Sequence, residues 1–362
     1  MLIVTLFLML LGKKITLKNR ILISQSMNVN SLEGLVRLTR KIFKYTFTFE
    51  IIGALLIATE FVPQYGFSLG LFKSLFQSIS AFCNAGFDLV GDSSLIPFAT
   101  HKIINIVCML LTTIGGLGFL VWDDISKCVK NKFQLKKLSL HTKLVLMMQL
   151  ILVIVGAILF FGFEFNNDLT IAKFSLPDKI LISLFHSVSA RTAGFATVNL
   201  AFCNDITKLI ISLLMFIGAG SGGMAGGVKT TTFFILIMGV ISNIAGKKNI
   251  NVFKNTISTN TFIKSVTIVM IALTVLLFAI CIMMINSNIY IVDIIFEVIS
   301  ALSTTGLTSG ALVQMNLLCK SLIILLMYTG RLGTLTMALA FVLKKPKEND
   351  LVVYAEGNVI VG

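Results

Sequence analysis

Apolar residues in this chain occur in two kinds of run, which differ in length. Runs of about 20 apolar residues predict helices that cross the ~30 Å hydrocarbon core of a bilayer, because an α-helix rises ~1.5 Å per residue. Shorter apolar runs predict re-entrant or interfacial segments. The six predicted spans are 44–63, 102–122, 143–163, 206–245, 264–286 and 317–343, and the shorter runs are 1–11, 71–87, 180–195 and 291–307. The pattern predicts a helical protein embedded in a membrane.

Composition supports the same class. Hydrophobic residues make up 56% of the 362 residues and charged residues only 13%, whereas soluble domains are about 25% charged. The six cysteines and three histidines show no CxxC or Cys/His spacing, so we predict no protein metal site. The basic residue Lys13 follows the apolar segment 1–11, whereas in a signal peptide the basic residues come first. This order predicts that 1–11 is the tail of a membrane helix. The predicted fold class is an all-α integral membrane protein.

The formal net charge of +14 raises the question of nucleic-acid binding. Basic residues, however, cluster in alternate connections between the predicted spans, at 13–44, 127–143 and 247–254, and again at 344–347. The intervening connections carry acidic residues with few basic residues beside them. The positive-inside rule then predicts that the basic loops and the C-terminus are cytoplasmic. We therefore expect a lipid bilayer rather than nucleic acid as the surrounding partner.

An internal repeat occurs at each of the three later short runs. Its copies are LFQSISAFCNAGF (Leu75–Phe87), LFHSVSARTAGF (Leu184–Phe195) and IFEVISALSTTGL (Ile295–Leu307). Each lies between two predicted spans, so the repeating unit is span, short helix, glycine-containing turn, span. The predicted units are 42–140, 141–256 with a broken second helix, and 257–348; 1–41 precedes them and 349–362 is a tail.

The shared glycines suggest what the three turns do. Gly86, Gly194 and Gly306 can adopt backbone angles closed to other residues, so consecutive carbonyl oxygens can face one axis. The short helices before them, predicted at 72–82, 181–190 and 292–301, would direct partly negative C-terminal ends there. A helix C-cap is the alternative interpretation of one copy. Three copies at non-spanning length favour a pore for a cation, because unpaired backbone in lipid is costly.

The span 206–245 is interrupted by GAGSGGMAGGVKTTT, from Gly218 to Thr232. So many glycines predict an unwound segment, which at membrane depth must line a cavity. A phosphate-binding loop is disfavoured, because Val228 separates Gly227 from Lys229. An intramembrane serine protease using Ser221 and His186 is also disfavoured, because His186 occupies a repeat position held elsewhere by Gln77 and Glu297. We predict no enzymatic activity.

Arg331 lies within the last predicted span, in YTGRLGT, where an ionisable residue suggests a function. With the three repeats and the glycine-rich break, it gives the chain a resemblance to the Trk/Ktr/HKT superfamily of K⁺ transporters, most closely to the membrane subunits of Ktr systems. The resemblance implies helix–pore loop–helix hairpins in a pseudo-fourfold channel that takes up K⁺ across the cytoplasmic membrane. It also implies a homodimer on a cytosolic ring of nucleotide-binding subunits, with Na⁺ as a candidate coupling ion.

The resemblance also implies roles for individual residues. The implied selectivity-filter residues are Asn84, Ala85, Gly86, Thr192, Ala193, Gly194, Thr304, Thr305 and Gly306. The implied gate residues are Gly218, Gly220, Ser221, Gly222, Gly223, Gly226, Gly227, Lys229 and Arg331. Arg191 is expected to brace the filter from behind, and Lys229 to tether the unwound segment. Arg331 is expected to lie centrally in its span, to pair with carbonyl oxygens of that segment and to repel cations until the gate opens.

The chain departs from the family in the number of repeats. The family has four hairpins with four filter glycines, whereas three are recognisable here, and 1–41 resembles only the end of the first hairpin. We expect an N-terminally truncated sequence. Two alternatives stay open: a Na⁺-selective carrier of the same build, since ion choice in the family depends on the first filter loop, and a non-conducting membrane scaffold.

Overall fold

The computed structural model describes residues 35–91, 93–130, 135–247 and 249–333, and these form a helical bundle. In chain order they form α1 Leu35–Tyr65, α2 Phe67–Phe82, α3 Lys102–Leu117, α4 Phe119–Lys130, α5 Leu140–Glu164, α6 Leu176–Ser189, α7 Asp205–Phe216, α8 Thr230–Ile244, β1 Ile250–Val252, β2 Asn255–Ile257, α9 Thr259–Asn286, α10 Ile291–Ser303 and α11 Leu317–Leu332. Short 3-10 turns lie at Ile96–Phe98, Leu135–Lys137, Leu200–Phe202 and Ala311–Gln314. The all-α class is confirmed.

The predicted repeat appears three times as a long helix, a short helix, a loop and a second helix. The three units are α1–α2–α3, α5–α6–α7 and α9–α10–α11. The short helices α2, α6 and α10 begin one to five residues before the predicted bounds and end within two residues of them. The repeated helix–loop–helix architecture is therefore confirmed, and each short helix delivers its C-terminal end to a glycine-containing loop.

The first helix of each unit is long and apolar enough to cross a membrane by itself. Among the described residues, Thr39–Tyr65 of α1, α5 and α9 are long and apolar enough to do so. Their apolar windows are only 28%, 39% and 28% buried inside the protein. Such exposed apolar faces suit contact with lipid. The protein is thus a membrane protein with several spanning helices.

Side-chain caps fix where several of these helices begin. Ser139, Ser258 and Asn316 precede α5, α9 and α11, and their side chains accept hydrogen bonds from the backbone N–H three residues later. Serine and asparagine are preferred at this position, because they satisfy an amide that the helix cannot. These polar residues therefore fix the position at which α5, α9 and α11 begin.

The predicted span 102–122 is not a single helix, although α3 and α4 together are long and apolar enough to cross a membrane as a broken span. Helix α3 ends at Leu117, and the chain turns by 99° into α4. The turn requires glycine, because Gly118 has φ +100° and a Cβ there would lie 2.5 Å from the carbonyl oxygen of Ser221. The apolar run continues through the break as Phe119 to Trp122, so hydrophobicity alone did not reveal it.

The other two second helices also stop early. Helix α7 ends at Phe216 and the chain resumes as α8 at Thr230, which confirms the predicted break in 206–245. Helix α11 ends at Leu332, followed by Gly333 with φ +90°. Arg331 is therefore in the last turn of α11 and exposed, and the rest of its predicted span lies outside the described residues. The sequences IGGLG (Ile114–Gly118) and TGRLG (Thr329–Gly333) mark equivalent helix ends.

A β-hairpin joins the second and third units and was not predicted. Strand β1 pairs antiparallel with β2, and the two turn residues, Phe253 and Lys254, have φ of 47° and 65°. Val252 packs with Leu144, Met148 and Phe234. The turn contains no glycine, so the usual sequence signal for such a hairpin is absent.

Several predictions concern residues outside the described ranges. These include the apolar segment 1–11, the remnant 1–41 up to residue 34, the residues of the last span beyond 333, and the tail 349–362.

Candidate functional site

The three loops that follow α2, α6 and α10 share one backbone conformation. Each has two residues with positive φ separated by a single residue, and the second of the two is the repeated glycine. The φ angles are 50° at Asn84 and 73° at Gly86, 71° at Thr192 and 87° at Gly194, and 52° at Thr304 and 90° at Gly306. Left-handed backbone at a side-chain-bearing residue is uncommon. Its recurrence indicates that the three loops hold one shape for one purpose.

The serine of the repeated motif fastens each loop to its short helix. The Ser80 hydroxyl accepts a hydrogen bond from the backbone N–H of Phe87 at 3.0 Å. In the other two units the equivalent hydroxyls of Ser189 and Ser300 donate to the carbonyl oxygens of Phe195 and Leu307. The residue after each glycine is thereby tied back to the helix. This explains the Ser-Ala element of the repeat.

The loops meet one another at their glycines. A Cβ on Gly86 would lie 2.8 Å from the carbonyl oxygen of Ala193 and 3.1 Å from the Cα of Gly194. A Cβ on Gly194 would contact the carbonyl oxygen of Thr305, and one on Gly306 would lie 3.8 Å from the Cα of Gly194. The structure thus brings together the three glycines that the sequence singled out, with the 192–194 loop in the middle.

The middle loop is enclosed and the outer two are each open on one side. Thr192 and Ala193 are buried, whereas Ala85 in the first loop and Gly306 in the third are exposed. In the described part of the chain the three loops therefore form an arc rather than a closed ring. The C-terminal ends of α2, α6 and α10 all point their partly negative ends into this arc, which favours a cation there.

The glycine-rich segment between α7 and α8, residues 217–229, is unwound but not unpaired. The amides of Gly220 and Met224 donate to the carbonyl oxygens of Gly116 and Gly115, and Phe119 donates to Gly222 in return. These bonds satisfy backbone that would be costly to expose at membrane depth. The 99° turn after α3 and this segment therefore stabilise each other.

The segment lies directly against the third loop. A Cβ on Gly226 would lie 2.5 Å from the carbonyl oxygen of Ser303 and would also contact the hydroxyl of Thr304. A Cβ on Gly218 would contact the carbonyl oxygen of Gly226. Side chains are excluded at these positions because backbone approaches from both sides. The residues predicted for the gate are thus placed next to those predicted for the filter.

Three basic side chains bind carbonyl oxygens of the same segment. Arg191 is 1% exposed and donates through Nη2 to Gly218. Lys229 donates to Ala225, and Arg331 donates through Nη1 to Met224 at 2.7 Å. Within the described residues no carboxylate lies within 4 Å of any of the three to form an ion pair. Arg191 therefore links the middle loop to the unwound segment.

Two buried carboxylates were not singled out from the sequence. Glu164, fully buried, accepts hydrogen bonds that join the end of α5 to the start of α7, including one from the backbone N–H of Asn204. Glu50 lies midway along α1 and is 7% exposed, with the Cys83 thiol 3.9 Å from Oε1. An acidic residue inside an apolar run was the available signal for both.

Among the described residues, His186 is hydrogen-bonded to Thr197 and Val198 and not to Ser221. Its Nε2 lies 3.3 Å from the backbone nitrogens of Thr197 and Val198, so it accepts hydrogen bonds from the segment that follows the middle loop. The interpretation as an intramembrane serine protease is thereby disfavoured on geometry as well as sequence.

Comparisons with known proteins give a consistent result. Residues 3–351 match the family model of TrkH, described as a cation transport protein. The Ktr system potassium uptake protein B of Bacillus subtilis is 36% identical over 357 residues, covering 99% of this chain and 78% of that protein. The potassium/sodium uptake protein NtpJ of Enterococcus hirae is 34% identical over 366 residues, covering 100% of this chain and 80% of that protein.

A solved structure resembles the chain as a whole. The potassium transporter TrkH from Vibrio parahaemolyticus matches with a TM-score of 0.71 at 16% sequence identity, covering 90% of this chain and 68% of that chain. At this identity the match establishes the shared fold. The fold, the three glycine loops and the named relatives are all consistent with a membrane protein that transports cations.

Proposed function

Because this chain belongs to the TrkH family of cation transport proteins, we propose that it is the pore-forming subunit of a potassium uptake system in the cell membrane. The observation that carries the proposal is the convergence, at Gly86, Gly194 and Gly306, of three loops with the same pattern of positive φ angles. The naming of its relatives as potassium uptake proteins supports the choice of ion. The proposed role is transport rather than catalysis.

The filter is proposed to consist of the loop residues at 84–86, 192–194 and 304–306. A partly dehydrated K⁺ needs several oxygen ligands to replace its water, and backbone carbonyls supply them in channel filters. The carbonyl oxygens of Ala193 and Thr305 already lie at the glycines of the neighbouring loops. The helix ends behind them add a partly negative potential, which lowers the free energy of a cation in the arc.

The gate is proposed to be the segment 217–229 together with Arg331. This segment lies against the third loop and carries the glycines and Ser221 that the sequence indicated. Arg331 and Lys229 place two positive charges beside it, and positive charge opposes the passage of K⁺. Opening then requires the segment to move, which breaks the bond between Arg331 and the carbonyl oxygen of Met224.

Ion choice is proposed to favour K⁺, with Na⁺ as a coupling ion. The relative from Enterococcus hirae is named a potassium/sodium uptake protein, which supports a part for Na⁺ in this family. A Na⁺-selective carrier is the second candidate function. The relative uptake of the two ions under identical gradients distinguishes them.

Partners are proposed from the same relatives. The name Ktr system potassium uptake protein B implies a protein that works with other components. We infer a homodimer that binds a cytosolic ring of nucleotide-binding subunits. The basic connections between the spans, among them Lys127 and Lys254, are the proposed docking surface, with anionic lipid as the competing interpretation.

Complementation tests the proposed function. Cells lacking their own K⁺ uptake should grow at limiting K⁺ when they express this chain with its cytosolic subunit. Gly306→Ser should raise the K⁺ concentration needed for half-maximal growth, because Gly306 has φ +90° and serine is strained there. Growth identical to that of cells with an empty vector, at matched protein levels, contradicts the proposal.

A further inference from the structure

The short helices α2, α6 and α10 each carry a polar residue at one equivalent position. It follows a shared phenylalanine and is Gln77 in α2, His186 in α6 and Glu297 in α10. All three side chains are at most 2% exposed. Buried polar groups are costly unless they are hydrogen-bonded, so the partners of each show what it does.

His186 binds the chain just beyond the middle loop. Its Nε2 accepts hydrogen bonds from the backbone N–H of Thr197 and of Val198, both at 3.3 Å, and from the Thr197 hydroxyl at 3.2 Å. An accepting Nε2 places the ring proton on Nδ1, so the imidazole is neutral. The ring stacks on Phe160 with centroids 4.9 Å apart, which fixes its orientation.

Glu297 makes the equivalent contacts in the third unit. Its Oε1 accepts from the backbone N–H of Ser309 at 2.9 Å, the Thr308 hydroxyl at 2.6 Å and the Ser309 hydroxyl at 3.2 Å. In both units the two bonded residues follow the acceptor by 11 and 12 positions. An imidazole and a carboxylate, chemically unlike, thus serve the same segment of the repeat.

Gln77 does not make these contacts. Its Nε2 donates to the Cys108 thiol at 3.7 Å, and its Oε1 has no partner among the described residues. The chain beyond the first loop is also more exposed, with Phe87 at 69% and Leu89 at 39%. Among the described residues, the side chain at this position therefore binds the chain beyond the loop in the second and third units but not in the first.

We propose that His186 and Glu297 are positioning residues that set the ion affinity and K⁺/Na⁺ discrimination of the filter. Each holds the segment immediately outside a filter glycine, and so limits how far the carbonyl oxygens of 192–194 and 304–306 can move inward. A filter that can contract accommodates the smaller Na⁺. This inference rests on the proposed transport function. It attributes the effect on ion affinity to the hydrogen-bond acceptor at this position and not to the charge of Glu297.

Five substitutions separate a role of the hydrogen-bond acceptor from a role of the charge. Glu297→Leu and His186→Leu remove the acceptor, whereas Glu297→Gln retains an oxygen where all three bonds converge on Oε1. Gln77→Leu is the matched control, because Gln77 holds the equivalent position in the first unit and its Nε2 donates to the Cys108 thiol instead of the chain beyond the loop. Ser183→Ala is a control within α6, because its hydroxyl donates only to the Lys179 carbonyl of the same helix.

Uptake of Rb⁺ and of Na⁺ by cells expressing the full chain is measured over a range of concentrations. Both leucine variants should raise the KM for Rb⁺ by about tenfold and lower the Rb⁺/Na⁺ uptake ratio, because each leaves buried hydrogen-bond donors beyond the loop without an acceptor. Glu297→Gln, Gln77→Leu and Ser183→Ala should stay within about twofold of wild type. Melting temperatures in detergent with K⁺ or Na⁺ then show whether each variant is folded and binds the ion.

The outcomes are distinct. Folded leucine variants with wild-type KM and ion ratio overturn the inference, as does equal damage from Gln77→Leu. A loss in Glu297→Gln as large as in Glu297→Leu also overturns it, since charge would then be the cause. If the leucine variants do not fold, His186→Asn and Glu297→Asp must still raise the KM for Rb⁺, because their shorter side chains hold the acceptor atom farther from its donors. No Rb⁺ uptake by wild type contradicts the proposed function itself.

Discussion

At the scale of single residues, the candidate site depends on where a side chain is forbidden. Gly86 and Gly194 combine positive φ with a neighbouring backbone atom at the place where a Cβ would stand. The backbone conformation and the packing therefore both require glycine at these two positions. That agreement is why the three-fold repeat of Ser-Ala and glycine could be recognised in the sequence, although the contacts between the loops could not.

Gly194→Ala should abolish binding of K⁺ at the filter. Positive φ at alanine costs roughly 1–2 kcal/mol, and the new methyl group also contacts the carbonyl oxygen of Thr305. The measurement is the rise in melting temperature on adding K⁺ to the purified protein, which we expect for wild type and for Gly162→Ala but not for Gly194→Ala. Gly162→Ala is the control, because it lies in α5 with nothing within 4 Å and should stabilise slightly. A normal K⁺ response in Gly194→Ala contradicts the prediction.

Arg191→Ala should destabilise the protein. The substitution leaves a cavity at a 1% exposed site and removes the donor to the Gly218 carbonyl. We expect a loss of about 2–4 kcal/mol in the free energy of unfolding, measured as a fall in melting temperature. Arg40→Ala, at an exposed position of α1, should change it little. Equal melting temperatures for the two variants contradict the linking role of Arg191.

At the scale of elements, length and glycine content predicted most of the pieces. The three short helices were predicted from apolar runs too short to span, and the break after α7 from the density of glycines. The break at Gly118 was missed, since one glycine in an apolar run carries no signal of its φ. The end of α11 was missed for the same reason, and the hairpin β1–β2 because its turn lacks glycine.

Arg331→Ala should release the unwound segment 217–229. The variant loses the hydrogen bond to the Met224 carbonyl and a positive charge beside the path, and both changes favour an open gate. We expect faster Rb⁺ uptake per protein molecule, with little change in KM. Lys320→Ala, an exposed basic residue of the same helix, should leave the rate unchanged. Slower uptake in Arg331→Ala, at equal protein levels, contradicts the gating role.

At the scale of the whole molecule, the order of units determines the architecture. Each unit presents one long apolar helix to lipid and one loop to the shared arc, and the repeat in the sequence was sufficient to predict that the three loops converge. The arrangement of the loops against one another depends on contacts between residues about 110 positions apart, such as Gly86 with Ala193. A repeat in the sequence does not show which loops contact each other, which is why the arrangement of the three loops in an arc could not be predicted.

Conduction of K⁺ through that arc is the function that we propose for this chain. Its most direct test is Rb⁺ uptake into K⁺-loaded liposomes containing the purified chain, compared with liposomes containing Gly194→Ala and with empty liposomes. We predict uptake by wild type that K⁺ competes away and Na⁺ does not, and uptake by Gly194→Ala no greater than by empty liposomes. Wild-type uptake no greater than that of empty liposomes, or equal to that of Gly194→Ala, contradicts the account.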